Sequence, residues 1–459
     1  MKMLLCSVLL LATAGIASAE TLTWVGGADL KLGTAANWQD GSGATPASVE
    51  SGSAFVIANG TAGTLALEND LADGFEVAGF TFSGGSISLD PASGCEANKL
   101  KLTGGTKAWV SSAIVDCSVP LELAEGTQSF DVTAAITNTF TGVISGSGSL
   151  RRISTGKKVN GAVALEAANT YTGGTGILCG FLIARNDDAC GSRMAAVNIE
   201  YKAGKDKYSS AGGSIVIDTE NFYNPITVPA EGAGPVWVDS YTRYSFNIFI
   251  VREGANLRGN ISGGLVALRS YALPKDGVAG GSETRVDSGV SYNVYGDIDC
   301  GDSSLSTSVL FLHSYKSTIN LYGKVRARRL ADGSPNQGYS QLNTVYFHSA
   351  DNQLGNVVAN EGKYYAASDN VMTGAVLMAG GKSGYTGRGR FYFEGFDQEL
   401  DRFDYQSESP VPSDLTIHEV YGSSSEPSTI TMKATDDSLC DMKFYNKLSL
   451  VWWPRDAYT

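Results

Sequence analysis

Histidine is nearly missing from this chain: three occur in 459 residues, His313, His348 and His418, well separated along the sequence. There is no HExxH segment and no GxSxG elbow. Neither a zinc hydrolase nor a serine nucleophile with its base therefore has a sequence signature here. Cations are also scarce. The 34 Lys and Arg are outnumbered by 47 Asp and Glu, the net charge is −13, and only 18% of residues are charged. Nucleic-acid recognition rests on clustered cations. The clusters present are small (Arg151 with Arg152, Lys157 with Lys158, and Arg326, Arg328 and Arg329), so no nucleic acid is expected as a partner. Proline is limited to 12 residues and no Pro-rich linker divides the chain, although Pro410 and Pro412 mark a break near 405–415. Helical periodicity is almost absent after residue 20, apart from a helical turn suggested around Asp369 to Met378, which disfavours doubly wound and barrel α/β folds. CxxC pairs, phosphate loops of the GxxxxGK[ST] type and calcium loops are missing as well, so neither cofactor nor metal is expected.

Glycine, by contrast, is abundant: 55 residues, where average usage is about 7%. With 43% hydrophobic and 10% aromatic residues there is ample material for a core. This is the composition of a turn-rich, extracellular all-β protein. Lys2, the apolar run from Met3 to Ile16 and the small residues Ala17-Ser18-Ala19 form the three parts of a secretory signal. That run is shorter than the roughly 20 residues of a bilayer span, so the mature chain is expected to start at Glu20, to be secreted or displayed at a cell surface, bacterial in kind, and to lack a transmembrane segment. Cys6 leaves with the leader. Cys95, Cys117, Cys179, Cys190, Cys300 and Cys440 remain. Disulfides are permitted in that compartment, with Cys95/Cys117 and Cys179/Cys190 the closest pairs, but buried free thiols fit the sequence equally well.

Short apolar runs bounded by Gly, Asn, Asp and Ser read as strands: Phe75 to Phe82, Gly213 to Asp218, Val236 to Val238, Phe246 to Val251, Val345 to His348, Arg390 to Phe393 and Thr429 to Lys433. A pattern also recurs along the chain. An apolar residue is followed two positions on by Gly and two further on by Ile or Val, with a Leu some residues later. The copies are Phe140-Gly142-Ile144 with Leu150, Leu257-Gly259-Ile261 with Leu268, Val294-Gly296-Ile298 with Leu305, and Leu321-Gly323-Val325 with Leu330. Phe444-Asn446-Leu448 with Leu450 puts Asn at the Gly position. Alternation along a strand would set both apolar ends and the Gly on one face, where Gly lets neighbouring backbones approach.

Copies of a short strand unit, each unable to bury its own apolar face and irregularly spaced, fit a solenoid whose coils stack into one core. The expected fold is all-β, a right-handed parallel β-helix with irregular coils. A string of β-sandwiches is the rival. The expected organisation is a signal peptide at 1–19, an N-terminal β region and solenoid start at 20–139, a β-helix with repeats at 140–405, and further β coils at 406–459. The last of these stops at Leu450-Val451-Trp452-Trp453-Pro454, where another coil should follow, as in a truncated reading frame.

Within this pattern, residues 140–177 read FTGVISGSGSLRRISTGKKVNGAVALEAANTYTGGTGI, followed by Phe181-Leu182-Ile183-Ala184 and the turn Asn186-Asp187-Asp188-Ala189-Cys190-Gly191. This stretch resembles the autotransporter-associated β-strand repeat, above all at Asn169-Thr170-Tyr171-Thr172-Gly173-Gly174-Thr175. A weaker copy spans Ser349 to Asn352, Gly355, Gly362 and Asp369 to Val371, ending at Phe391 to Gln398. Thr23-Trp24-Val25-Gly26-Gly27 with Ala35-Ala36-Asn37-Trp38 is similar to the start of secreted proteins of this kind. The resemblance covers roughly a third of the chain. It implies a β-helical passenger or surface protein with a structural or adhesive role, though the C-terminal membrane barrel of autotransporters is not visible.

The resulting expectation is a non-enzymatic protein for adhesion, surface coat or scaffold, with an extracellular glycan or a surface protein as its partner. Two alternatives stand beside it. A polysaccharide lyase or glycoside hydrolase needs paired carboxylates, and Asp187 with Asp188, Asp297 with Asp299 and Asp302, or Asp436 with Asp437 are the candidates. Asp187 and Asp188 also suit a turn, and Asp297 with Asp299 also suit a polar strand face. A glycan-binding module without turnover needs a flat row of Tyr. Tyr241, Tyr244, Tyr271, Tyr292, Tyr295, Tyr322, Tyr364 and Tyr365 lie in strand-like settings, where Tyr is favoured anyway.

Overall fold

The computed structural model describes residues 20–155, 161–202, 211–228, 247–270, 289–301, 308–314, 316–332, 343–359, 362–380, 390–406, 419–421 and 430–432. Among these, strand follows strand, interrupted only by the single-turn 3-10 segments Ala35–Asn37 and Gly105–Lys107. Strand pairing is parallel throughout except where Thr21–Trp24 meets Trp38–Gln39 and where Tyr201–Lys202 meets Ala211–Ile217. Parallel neighbours cannot be joined by a hairpin, so the chain travels around the axis before meeting itself. That circuit takes 20 residues from Val357 to its partner Leu377 and 37 from Ile261 to Ile298. The protein is a parallel β-helix with irregular coils.

Each coil visits up to three sheets in a fixed order. One ladder runs from Leu65–Asn69 through Thr137–Phe140 and Gly180–Ala184 to Val309–Ser314. Another runs from Thr21–Trp24 through Trp109–Ser111 and Thr175–Ile177 to Ile298–Asp299 and onward. Between them in chain order lie Leu100–Leu102, Leu121–Leu123 and Ile144–Gly146, and in later coils an eight-stranded parallel sheet from Asn221–Phe222 to Glu419–Tyr421. Alternate residues turn inward, which is why the strands read as apolar at every second position.

Inward side chains pair like with like along the axis. Phe55, Phe80, Trp109 and Phe130 share one register column. Their rings touch, with centroids 5.4 Å apart for Phe55–Phe80 and 6.0 Å for Trp109–Phe130. Val197, Ile226, Ile261, Ile298 and Val325 form a second column. Beside a smaller cluster of Ala162, Ala164, Phe181, Ile183 and Val216, one main apolar core runs from Leu22 to Leu400. At the N-terminal end it is closed by Trp38, which is fully buried, packs edge-on to Trp24 at 5.0 Å and donates its indole N–H to the Leu32 carbonyl at 2.7 Å. Asn37 fixes this cap by accepting the Ala28 amide and donating to Lys31 O and Asp29 Oδ1. The opening segment noted in the sequence is thus a lid on the solenoid, as terminal repeats must be.

One expectation changes: Asp369 to Met378 is not helical, since residues 369–374 are turns and Ala375–Gly380 is a strand. Of the two readings left open for the cysteines, the free-thiol one holds for Cys95, Cys117, Cys179, Cys190 and Cys300, and neither of the closest pairs is bridged. The leader at 1–19, Val236 to Val238 and the fifth motif copy at 444–450 lie outside the described residues.

Candidate functional site on the lateral face

The recurring Gly motif is a corner, not a strand face. Leu257, Val294 and Leu321 end strands of the eight-stranded sheet, whereas Ile261, Ile298 and Val325 begin strands of the next one, and all six are buried. Between them Gly259, Gly296 and Gly323 stack directly. A Cβ on Gly296 would lie 2.1 Å from the Gly259 carbonyl oxygen, and one on Gly323 would lie 2.2 Å from that of Gly296. Gly142 makes the same close approach, 2.4 Å from the Val119 carbonyl. It does so at a different corner, between Thr137–Phe140 and Ile144–Gly146. The pattern is therefore met at two kinds of corner by the same steric rule.

Each residue of the 169–175 segment has a physical role. Asn169 accepts the Ile144 amide at 2.7 Å and donates to Ala189 O at 2.6 Å. Tyr171 is fully buried and its hydroxyl meets Thr175 Oγ1 at 2.6 Å. Burial pushes the Tyr171 phenol well up. Gly173 packs against the Gly148 backbone, and Gly174 holds φ +83°, which an L side chain resists.

The candidate carboxylates are each committed to a neighbouring turn or coil. Asp187 is raised by partial burial, but the Thr219 hydroxyl and the Asn221 amide, 3.0 Å away, hold it below its ordinary value. Asp188 faces elsewhere and takes both arms of Arg193. Asp297 accepts the Lys324 amide at 2.8 Å, as Asn260 one coil earlier accepts the Asp297 amide at 3.0 Å. Asp299 receives the Arg326 fork, Nε and Nη2 each at 2.7 Å, and the Gly301 amide at 2.8 Å. Partial burial opposes its charge, yet these donors hold the carboxyl below its usual range. The structure does not bring these carboxylates together on a common target. Asp302, Asp436 and Asp437 lie outside the described residues.

The outer surface of the eight-stranded sheet is where side chains gather. One register column reads Asn221, Asn256, Asn293, Asn320, Tyr346, Tyr365 and Tyr392. Its amides bond in series: Asn293 donates to Asn256 Oδ1 at 2.9 Å and Asn320 to Asn293 Oδ1 at 2.8 Å. Its rings continue the line, with centroids 4.7 Å apart for Tyr346–Tyr365 and 4.3 Å for Tyr365–Tyr392. Desolvation and the neighbouring phenols push Tyr365 up.

Two residues along, a second column forms. The Arg193 guanidinium sits 3.7 Å from the Tyr223 centroid, Arg258 lies 4.9 Å from Tyr295, Tyr295 and Tyr322 stack at 4.7 Å, and His348 covers Tyr322 at 4.1 Å. Desolvation lowers the His348 imidazole. Tyr292 and Tyr364, expected beside these, are buried core residues instead. Tyr295 and Tyr322 are 42% and 39% exposed. The rings stack along the solenoid axis, so each face is filled by its neighbour and the edges meet solvent. The flat row of open aromatic faces considered from the sequence does not form at Tyr295 and Tyr322. Tyr241, Tyr244, Tyr271 and His418, and the side chain of His313, are outside the described residues.

The Asn ladder was missed in the sequence although its signal is present. Asn256, Asn293 and Asn320 each stand three residues before the motif glycine. Among the described residues no group of three His, Cys, Asp or Glu is placed to hold a metal ion, and no helix is long and apolar enough to cross a membrane. No family model matches the chain, and no curated protein or solved structure matches it either.

Proposed function

We propose that this chain is a non-enzymatic, exported β-helical rod that serves as a display scaffold, coat or adhesive passenger. The observation that carries the reading is the use made of outward-facing chemistry. Asp187, Asp188, Asp297 and Asp299 bind neighbouring turns and coils, and Tyr295 and Tyr322 are covered on both faces by Arg258, each other and His348. Side chains deployed in this way stiffen a rod rather than converge on a substrate. Export rests on the leader-like residues 1–19, and the passenger assignment on the Asn169 to Thr175 segment and its resemblance. A second reading, glycan binding without turnover, is favoured by one feature: the Asn256, Asn293 and Asn320 amides and the Tyr346, Tyr365 and Tyr392 phenols form one polar strip.

The experiment is to present residues 20–459 to a polysaccharide and glycan panel, reading both retention and release of reducing or unsaturated ends. The expected result is no release, with or without retention. Release of ends that is lost in Asp297→Asn overturns the reading and makes the protein a carbohydrate-active enzyme. Asn at 297 retains the acceptor that the Lys324 amide needs, so such a loss would report chemistry and not folding.

A further inference from the structure

We infer that the stacked tyrosines of the lateral face are sites of oxidative dityrosine formation between successive coils, a covalent staple that the fold pre-aligns. Three pairs are in position. Tyr295 and Tyr322 stack with planes 5° apart and centroids at 4.7 Å, Tyr365 and Tyr392 with planes 6° apart at 4.3 Å, and Tyr346 and Tyr365 with planes 24° apart at 4.7 Å. Members of the last two pairs share a register position on adjacent strands, so both rings leave the sheet on the same side, and the Tyr365 and Tyr392 hydroxyls are hydrogen-bonded to each other. Holding two reactants in this way replaces a bimolecular encounter by an intramolecular one.

The chemistry needs an oxidant, and its class is a peroxidase with hydrogen peroxide. Each of two phenols gives up one electron and its hydroxyl proton, leaving two phenoxyl radicals. These join through a new carbon–carbon bond between ortho positions. The two ortho C–H hydrogens then move to the oxygens, restoring both phenols. Hydrogen peroxide takes up the two electrons and two protons and leaves as two waters.

Exposure sorts the tyrosines. Tyr295 and Tyr322 are open at their edges, whereas Tyr171, Tyr292 and Tyr364 are buried in the core. The Tyr295–Tyr322 pair is also bounded, with Arg258 on one side and His348 on the other, so its two radicals have only each other as phenolic neighbours in that stack. Nothing in this inference depends on the display role. A rod at a surface gains from such staples because each one closes a coil covalently.

The test uses residues 20–459, dilute and folded, treated with a peroxidase and limiting hydrogen peroxide, then digested and mapped by mass spectrometry. Expected are intrachain peptides joining Tyr295 to Tyr322 and Tyr365 to Tyr392 or Tyr346, with Tyr171, Tyr292 and Tyr364 unmodified. Tyr322→Phe keeps the stack but removes a phenol, so the Tyr295 cross-link should vanish while those of Tyr365 persist. Tyr365→Phe should give the reverse. The inference is overturned if tyrosine is consumed without these links, if Tyr295 and Tyr322 link only to other chains, or if the buried tyrosines react equally.

Discussion

Asn169 joins its own coil to both neighbours through one side chain: its Oδ1 accepts the Ile144 amide at 2.7 Å and its Nδ2 donates to the Ala189 carbonyl at 2.6 Å. Asn352 repeats the arrangement with Val325 at 2.8 Å and Val371 at 3.0 Å. Ile144 and Val325 are both the closing apolar residue of the Gly motif, and both asparagines are buried. The Gly corner lets two backbones approach, and the Asn then satisfies a main-chain amide that the corner leaves without a ladder partner. A side-chain amide supplies the acceptor and the donor this requires on two separate atoms.

Asn169→Ala should therefore leave the Ile144 amide and the Ala189 carbonyl buried and unpaired, at a cost of roughly 2 kcal/mol or more. Asn169→Asp preserves size but sets a carboxylate oxygen against the Ala189 carbonyl, and should be comparably destabilising at neutral pH. Urea midpoints measured by circular dichroism decide this. An Asp variant as stable as the parent would show that the Nδ2 bond carries nothing.

Gly296→Ala places a methyl 2.1 Å from the Gly259 carbonyl oxygen, main chain that cannot swing aside. The corner must open, and overpacking of this kind costs about 1–3 kcal/mol or more. The matched control is Gly41→Ala, where nothing lies within 4 Å of the new carbon. Thermal unfolding should fall by several degrees in the first and hardly move in the second. Equal stability of the two variants would remove close approach as the reason for the motif.

These two cases show what was legible. Spacing and residue type sufficed for the coil architecture, because a motif whose two apolar ends both need burial leaves few alternatives to stacking. They did not reveal that Gly259 turns a corner. Alternation of period two looks the same whether the strand runs straight or bends at its third residue. Parity did hold the answer for the tyrosines: Tyr292 precedes the inward Val294 by two positions and Tyr295 follows it by one, so one is core and the other surface. Whether Tyr295 presents a face or an edge was beyond parity, because it depends on Tyr322, His348 and Arg258 arriving from other coils. The pairing of Asp299 with Arg326 was illegible for the same reason: the partners are one coil apart.

Cysteine reactivity follows from the same packing. Burial pushes the Cys117, Cys190 and Cys300 thiols up to about 12, so almost no thiolate exists at pH 8. Cys95 is half-buried and its thiol is free. Maleimide labelling of the folded chain should reach Cys95 well before these three, which should label only after unfolding. Native labelling of Cys190 at a rate similar to Cys95 would place it outside the core.

The Asp299–Arg326 pair gives the solenoid a specific acid sensitivity. The Asp299 carboxyl lies below its ordinary value of 3.8 in the folded chain, because the Arg326 fork and the Gly301 amide outweigh partial burial. A depressed acid stabilises the fold above its unfolded value, and that contribution is lost as pH falls through the lower, folded value. Stability should thus be insensitive to Asp299 from neutrality down to about pH 4 and decline below it. The pair is largely exposed, so its worth is no more than ~1 kcal/mol and shrinks with added salt. Asp299→Asn should be slightly less stable at neutral pH, and its curve should converge on the parent's only once the pH has fallen below the folded value of Asp299, where both lack the charge. A gap between the two curves that stays constant from pH 7 into the acid range would show that the Arg326 contact contributes nothing through charge.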